Sequence, residues 1–115
     1  MKKVMLVVFN GEEMCFIHVL LNALDMSDRS YQIGIIIEGA STKLIPSLEQ
    51  ENHFLHSLWT KVKERGLVEG VCKACANKMG TLQDAQKIGL AIVGDMSGHP
   101  SLASYIEKGF QIITF

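Results

Sequence analysis

The sequence predicts an α/β protein in which a doubly wound, mainly parallel sheet of five strands carries helices on both faces. Short runs rich in Val and Ile alternate with segments whose apolar residues recur at helical spacing. The first two of these runs are apolar without a break, which is typical of strands covered on both faces. No repeat, linker or low-complexity segment interrupts the alternation, so residues 1–115 are expected to form a single domain.

The first two strands are predicted at Val4 to Phe9 and at Tyr31 to Ile37. Between them, Asn10 is a suitable cap for a helix, and the acidic Glu12 and Glu13 suit its first turn. The apolar stripe of this helix is expected to consist of Met14, Ile17, Leu21 and Leu24. Strand, helix and strand thus follow in order.

The second crossover is longer than the first. A short helical piece from Ser41 to Ile45 is expected to stop near Pro46, and the spacing from Ser47 to Gln50 resembles a capping box that would begin a longer helix. Gly66 can adopt the left-handed conformation that ends a helix. The apolar stripe of the longer helix is predicted to be Phe54, Leu55, Leu58, Trp59 and Val62.

The second half of the chain continues the alternation with shorter elements. We predict a strand at Val68 to Cys72, an Ala-rich helical turn ending near Gly80, a short helix from Asp84 to Lys87, a strand at Leu90 to Val93, a helix from Pro100 to Gly109 and a last strand at Phe110 to Phe115. A Gly-rich loop from 94 to 100 separates the fourth strand from the last helix.

Charge and hydropathy exclude several classes of partner. Lys and Arg number 11 against 12 Asp and Glu, so no global field draws the protein to nucleic acid or to an anionic membrane. The apolar run after Met1 has no small-residue cleavage site and is interpreted as a strand. No stretch reaches the roughly 18 apolar residues that span a bilayer. We therefore expect a cytoplasmic protein with neither nucleic-acid nor membrane partners.

Three cysteines, Cys15, Cys72 and Cys75, argue against a disulfide scaffold because their number is odd and the chain is long enough to build a core. Free thiols in a reducing compartment serve as packing groups, metal ligands or nucleophiles. Cys15 lies within the first predicted helix, where packing is its expected role. Position along the fold must decide the roles of the other two.

In parallel α/β sheets, ligands and reactive groups gather where the strands end at their carboxyl termini. Four parts of this sequence fall on that edge: Asn10, Glu38, Cys72 and the loop residues 95 to 99. The segment after the first strand lacks the glycines of a phosphate-binding fingerprint and carries two acids. We therefore expect no nucleotide and no other cofactor.

Cys72 is the first candidate for reactivity on this edge. It is expected at the amino end of a helix, near Lys73 and Lys78, where backbone N–H groups and the helix dipole favour a thiolate. The alternative is that Cys72 is a small apolar residue that finishes a buried strand.

Cys75 and His99 complete the candidate site. Cys75 follows Cys72 at the spacing of Cys-x-x-Cys redox and metal sites. Zinc prefers four ligands, and only His99, His53 or His56 could add to this single pair, so no metal is expected. His99 shares the predicted edge with Cys72 and is a candidate base or donor. Alternatively, Gly98 and Pro100 merely shape a turn that leaves His99 exposed.

The order of elements, the segment from Val71 to Gly80 and the ending from Ile106 to Phe115 resemble the DsrE/DsrF-like proteins. The shared motifs are a cysteine that closes the third strand, a glycine eight residues later and a terminal Gly-aromatic strand. The resemblance covers essentially the whole chain. It implies a three-layer flavodoxin-like fold, assembly into trimers or hexamers and, in the sulfur-relay members, a cysteine that accepts sulfur as a persulfide. Cys72 matches that cysteine, whereas Cys75 stands where relay members usually have an alanine-like residue.

These observations favour a sulfur carrier or sulfurtransferase-like protein that passes sulfur through a Cys72 persulfide, with protein donors or acceptors as its partners. Cys75 is then either a resolving thiol or a spectator. Two alternatives stay open: a non-catalytic binding or assembly module, and a dithiol redox or metal site formed by Cys72 and Cys75. Phe54 and Trp59 are the exposed apolar residues expected to serve a homo-oligomer.

Overall fold

Five parallel strands form one sheet in the order β4-β3-β2-β1-β5 in the computed structural model, which describes all of residues 1–115. The strands are β1 (Lys3–Val8), β2 (Gln32–Ile37), β3 (Val68–Cys72), β4 (Ile92–Val93) and β5 (Gln111–Thr114). Every neighbouring pair is parallel. The predicted α/β class, with five strands in a parallel sheet, is therefore confirmed.

Helical segments occupy every connection between the strands. They are α1 (Glu13–Asp28), a 3-10 helix (Gly39–Leu44), α2 (Ile45–Leu48), α3 (His56–Glu64), α4 (Lys73–Lys78), α5 (Leu82–Lys87) and α6 (Leu102–Glu107). None of these helices combines the length and the apolar character needed to cross a lipid bilayer. The three-layer arrangement expected of a flavodoxin-like fold results, with the sheet as the middle layer.

The two faces of the sheet are covered very unequally. Strands β1 to β4 follow one another across the sheet in a single direction, so right-handed crossovers place α1 to α5 on one face. The chain then crosses back to pair β5 with β1, which puts α6 on the opposite face. The buried core reflects this difference, with a cluster of 20 residues on the first face and one of four, Met5, Val7, Ile36 and Tyr105, on the second.

The predicted apolar stripe of α1 is wrong in part. The side chains of Met14 and Leu21 are 66% and 46% exposed, and only Leu24 of the predicted set is buried. The buried residues of this helix are Phe16, Val19, Leu20, Ala23 and Leu24. They also recur at helical spacing, so α1 offers two overlapping apolar faces. The face that carries Phe16 is buried because its ring packs against Trp59, at a centroid distance of 6.2 Å.

The second crossover differs from its prediction at three points. Pro46 lies in the first turn of α2 rather than ending a helix, a position where its missing N–H is not needed. Ser47 is inside α2, so the expected capping box does not form. Trp59 is fully buried, with its indole N–H donating to the Glu49 carboxylate, and is not an exposed contact for an oligomer. Phe54 is 60% exposed.

Gly70 permits the close approach of β3 and β4. A Cβ atom at this position would lie 2.4 Å from Cγ2 of Val93, far inside van der Waals contact. Strand β4 has only two residues, which pair with Val71 and Cys72. The loop that follows β4 is therefore positioned by a short strand whose packing depends on a glycine.

We expect Gly70→Ala to lower the free energy of unfolding by about 1–3 kcal/mol, because the added methyl group overpacks a close contact. Urea denaturation at constant m-value measures the loss. Gly34→Ala is the matched control, since a Cβ there would meet Sδ of Met5 at 2.9 Å, near the end of a long unbranched side chain, and Cβ of Glu69 at 3.1 Å. Equal losses in the two variants would show that the contact with Val93 is unimportant.

Candidate functional site

The side chains of the site lie at the ends of three neighbouring strands, on one edge of the sheet. Glu38 follows β2, Cys72 ends β3, and the loop from 94 to 100 follows β4. Because β2, β3 and β4 are adjacent and parallel, their carboxyl ends lie side by side. The predicted edge is therefore a continuous surface rather than a set of distant positions.

A tight turn places His99 above the end of β3. Met96 and His99 exchange two backbone hydrogen bonds, of 2.8 and 3.0 Å, across the two residues Ser97 and Gly98. Both central residues have positive φ, 51° and 91°, which is the conformation of a type I′ turn. The carbonyl of Gly98 also accepts a 2.8 Å hydrogen bond from the N–H of Ala74. This hydrogen bond connects the turn directly to α4.

His99 contacts both cysteines of the Cys-x-x-Cys pair. Its Nδ1 atom lies 3.2 Å from Sγ of Cys72 and 3.8 Å from Sγ of Cys75. The nitrogen and the two sulfurs all lie within 4.8 Å of one another. His99 is half-buried, so the alternative in which it is merely an exposed turn residue is wrong. The structure brings together the three site residues selected from the sequence.

Cys72 is a buried thiol rather than a stabilised thiolate. Burial raises the pKa of Cys72 to about 12; the backbone N–H of Cys75 opposes this rise, whereas the Cys75 thiol and the Glu38 carboxylate add to it. The expectation of a thiolate held by a helix terminus and nearby lysines is therefore wrong. Helix α4 has only six residues, and Lys73 is exposed to solvent, so neither offsets the desolvation of a sulfur anion.

Glu38 is a member of the site that was not selected from the sequence. Its side chain is only 9% exposed, and one carboxylate oxygen, Oε1, is buried without a hydrogen-bond partner. Burial raises the pKa of Glu38, and the charge of His99 partly offsets that rise. The only indication of Glu38 in the sequence was its position directly after the strand β2. A single acid at a strand end did not predict burial beside a histidine.

The other cysteine and histidines lie outside this cluster. Cys15 is half-exposed and His18 is exposed, both on α1. His53 pairs with the carboxylate of Glu13, and its side chain is only 13% exposed. His56 forms a 2.8 Å hydrogen bond with a backbone carbonyl oxygen. Structural contacts account for both histidines of the second crossover.

Comparison with known proteins gives a family of archaeal relatives. The uncharacterized protein MJ0733 of Methanocaldococcus jannaschii is 35% identical over 96 residues, which are 84% of this chain and 76% of that protein. This chain belongs to the same family. An uncharacterized protein of Archaeoglobus fulgidus is 49% identical over 37 residues, 32% of this chain and 100% of that protein. A second one is 39% identical over 41 residues, 36% of this chain and 67% of that protein.

No protein-family model matches the sequence, and no solved structure matches it. The names of the archaeal family members state no activity. The resemblance to DsrE/DsrF-like proteins therefore stays a prediction, and the chemistry of the site must be argued from its own residues.

We expect alkylation of the reduced native protein at neutral pH to modify Cys75 and Cys15 well before Cys72. The reason is that Cys72 is fully buried and only a thiolate reacts. Peptide mass spectrometry after a time course with iodoacetamide measures the three rates separately. The control is the same reaction in denaturant, where the three thiols should react alike. Native labelling of Cys72 as fast as that of Cys75 would contradict the burial.

Proposed function

We propose that the protein is a sulfur carrier that holds a persulfide on Cys72, with Cys75 as the thiol that first receives the sulfur. The observation that carries this proposal is the position of one imidazole nitrogen, His99 Nδ1, between two thiols of different exposure. Cys75 is half-exposed and can meet a donor, whereas Cys72 is fully buried. The pair thus provides a receiving position and a sheltered position.

Sulfur would enter by exchange with an external persulfide. The Cys75 thiolate attacks the outer sulfur of the donor, forming a Cys75 persulfide and releasing the donor as a thiolate. One sulfur–sulfur bond forms as another breaks, so no external oxidant or reductant is needed. The substrate class is accordingly a persulfide carried by a protein or by a small thiol.

Transfer inward would then use His99 as a proton carrier. Cys72 attacks the outer sulfur of the Cys75 persulfide while its thiol proton passes to Nδ1 of His99 at 3.2 Å. Nδ1 returns the proton to the departing sulfur of Cys75, 3.8 Å away. The products are a Cys72 persulfide and a Cys75 thiol. This proton path allows Cys72 to react although burial keeps its free thiol protonated.

The resemblance to sulfur-relay proteins supports the same assignment, because Cys72 occupies the position of their sulfur-carrying cysteine. It also leads us to propose assembly into trimers or hexamers. Sedimentation of the purified protein tests that assembly separately from its chemistry.

We expect incubation with a small-molecule persulfide, in the presence of a chelator, to add one sulfur atom to the wild-type chain and peptide mapping to locate that atom on Cys72. Brief treatment with glutathione should then leave the wild-type sulfur in place, because a buried persulfide is shielded from thiol attack. In Cys72→Ser any sulfur remains on the half-exposed Cys75 and should be removed by the same treatment. Intact mass measures the sulfur content of the loaded wild type and of both proteins after the glutathione treatment.

Cys15→Ser is the matched control, since Cys15 lies outside the cluster, and it should behave as the wild type does. Sulfur that stays on Cys75 in the wild type, or that glutathione removes equally fast from the wild type and from Cys72→Ser, would refute the proposed carrier.

A further inference from the structure

The two sulfurs and the imidazole nitrogen also have the spacing of metal ligands. Zinc binds thiolate sulfur at ~2.3 Å and histidine nitrogen at ~2.0–2.1 Å, so a tetrahedral ion separates the two ligand atoms by about 3.6 Å. The observed separations from His99 Nδ1 are 3.2 Å for Cys72 and 3.8 Å for Cys75, on either side of this value. Only small side-chain rotations would be needed to bind an ion.

Glu38 is a second and independent indication of a cation. A buried carboxylate normally has hydrogen-bond or ionic partners, because desolvation of an unpaired charge is costly. Glu38 has one oxygen without a partner, and its carboxylate acts electrostatically on both Cys72 and His99. A metal ion held by the cysteines and the histidine would give this carboxylate a partner, because metal-bound histidines commonly donate their other ring N–H to a carboxylate.

We propose that Cys72, Cys75 and His99 bind one thiophilic divalent ion of the zinc class, with a fourth coordination position open and with Glu38 as an outer carboxylate beside the ligands. Two thiolates balance the charge of the ion, and their protons are released to solvent on binding. Sulfur ligands exclude the hard cations calcium and magnesium. Three protein ligands and an open position are the arrangement of zinc sites that bind an exchangeable molecule.

Metal binding is independent of the sulfur-carrier proposal, although both use the same residues. An ion at this position would occupy both thiols, so a metal-bound chain could not accept sulfur. The metal-bound and persulfide forms are therefore mutually exclusive states of one site. Metal binding measured without any sulfur donor tests the first state alone.

The experiment is a titration of the reduced, chelator-treated and desalted full chain with Co²⁺ under anaerobic conditions. We expect one equivalent to bind, with thiolate-to-cobalt charge-transfer bands in the near ultraviolet and visible d–d bands of tetrahedral intensity. One equivalent of Zn²⁺ should then displace the cobalt and abolish the spectrum. Absence of the charge-transfer bands in the wild type would overturn the proposal.

Four variants assign the ligands, with circular dichroism confirming that each is folded. Cys75→Ser and His99→Ala should each lose the tetrahedral spectrum, whereas Cys15→Ser should retain the full spectrum. Glu38→Gln should keep the spectrum but bind Zn²⁺ about 10–100-fold more weakly, as expected for loss of an outer-shell partner. A full spectrum in Cys75→Ser, or its loss in Cys15→Ser, would overturn the assignment.

Discussion

The contact between His99 Nδ1 and Sγ of Cys72 is the interaction on which both proposed activities of this protein depend. Cys72 alone is a buried thiol whose desolvation opposes ionisation, and without a partner it would be only a packing group at the end of β3. A neighbouring imidazole changes that, because it can accept the proton or share a metal ion with the sulfur. The same nitrogen reaches Cys75, so one side chain links both thiols.

That contact rests on the backbone rather than on the side chains involved. Cys72 and Val93 are paired across β3 and β4, so the loop after β4 begins beside the cysteine. Gly70 allows the strands their close approach, and the type I′ turn at Ser97 and Gly98 reverses the chain so that His99 returns over α4. The geometry of the site therefore depends on Gly70 and Gly98, two residues without side chains.

Much of the fold could be predicted from the sequence, because unbroken runs of Val and Ile identify strands buried on both faces. The inward face of α1 could not be predicted, because Phe16 and Met14 belong to overlapping apolar faces of the helix. Only the contact of Phe16 with Trp59 decides between these faces. Trp59 itself was misassigned to the surface. An apolar stripe defines a buried face without showing which of its members the neighbouring elements cover completely.

The site was predictable in its location but not in its electrostatics. The predicted carboxyl ends of the strands identified the edge of the sheet on which Cys72 and His99 lie. The protonation of Cys72 depends on how completely α4 and the turn exclude water, which follows from packing across elements far apart in the sequence. Glu38 was on the predicted edge as well, but its unpartnered oxygen is visible only once β2, β3 and the turn are assembled.

The buried carboxylate also bears on how the two proposed states of the site differ. Burial raises the pKa of Glu38 and the charge of His99 opposes that rise, so the carboxylate and the imidazole are electrostatically coupled. In the proposed sulfur transfer the imidazole handles one proton, which Nδ1 takes from Cys72 and returns to Cys75. A divalent ion would end that proton transfer, because it would occupy Nδ1 and draw both thiols into their anionic form. The group bound at His99 Nδ1, a transferred proton in one case and a metal ion in the other, thus separates the two proposed states of the site.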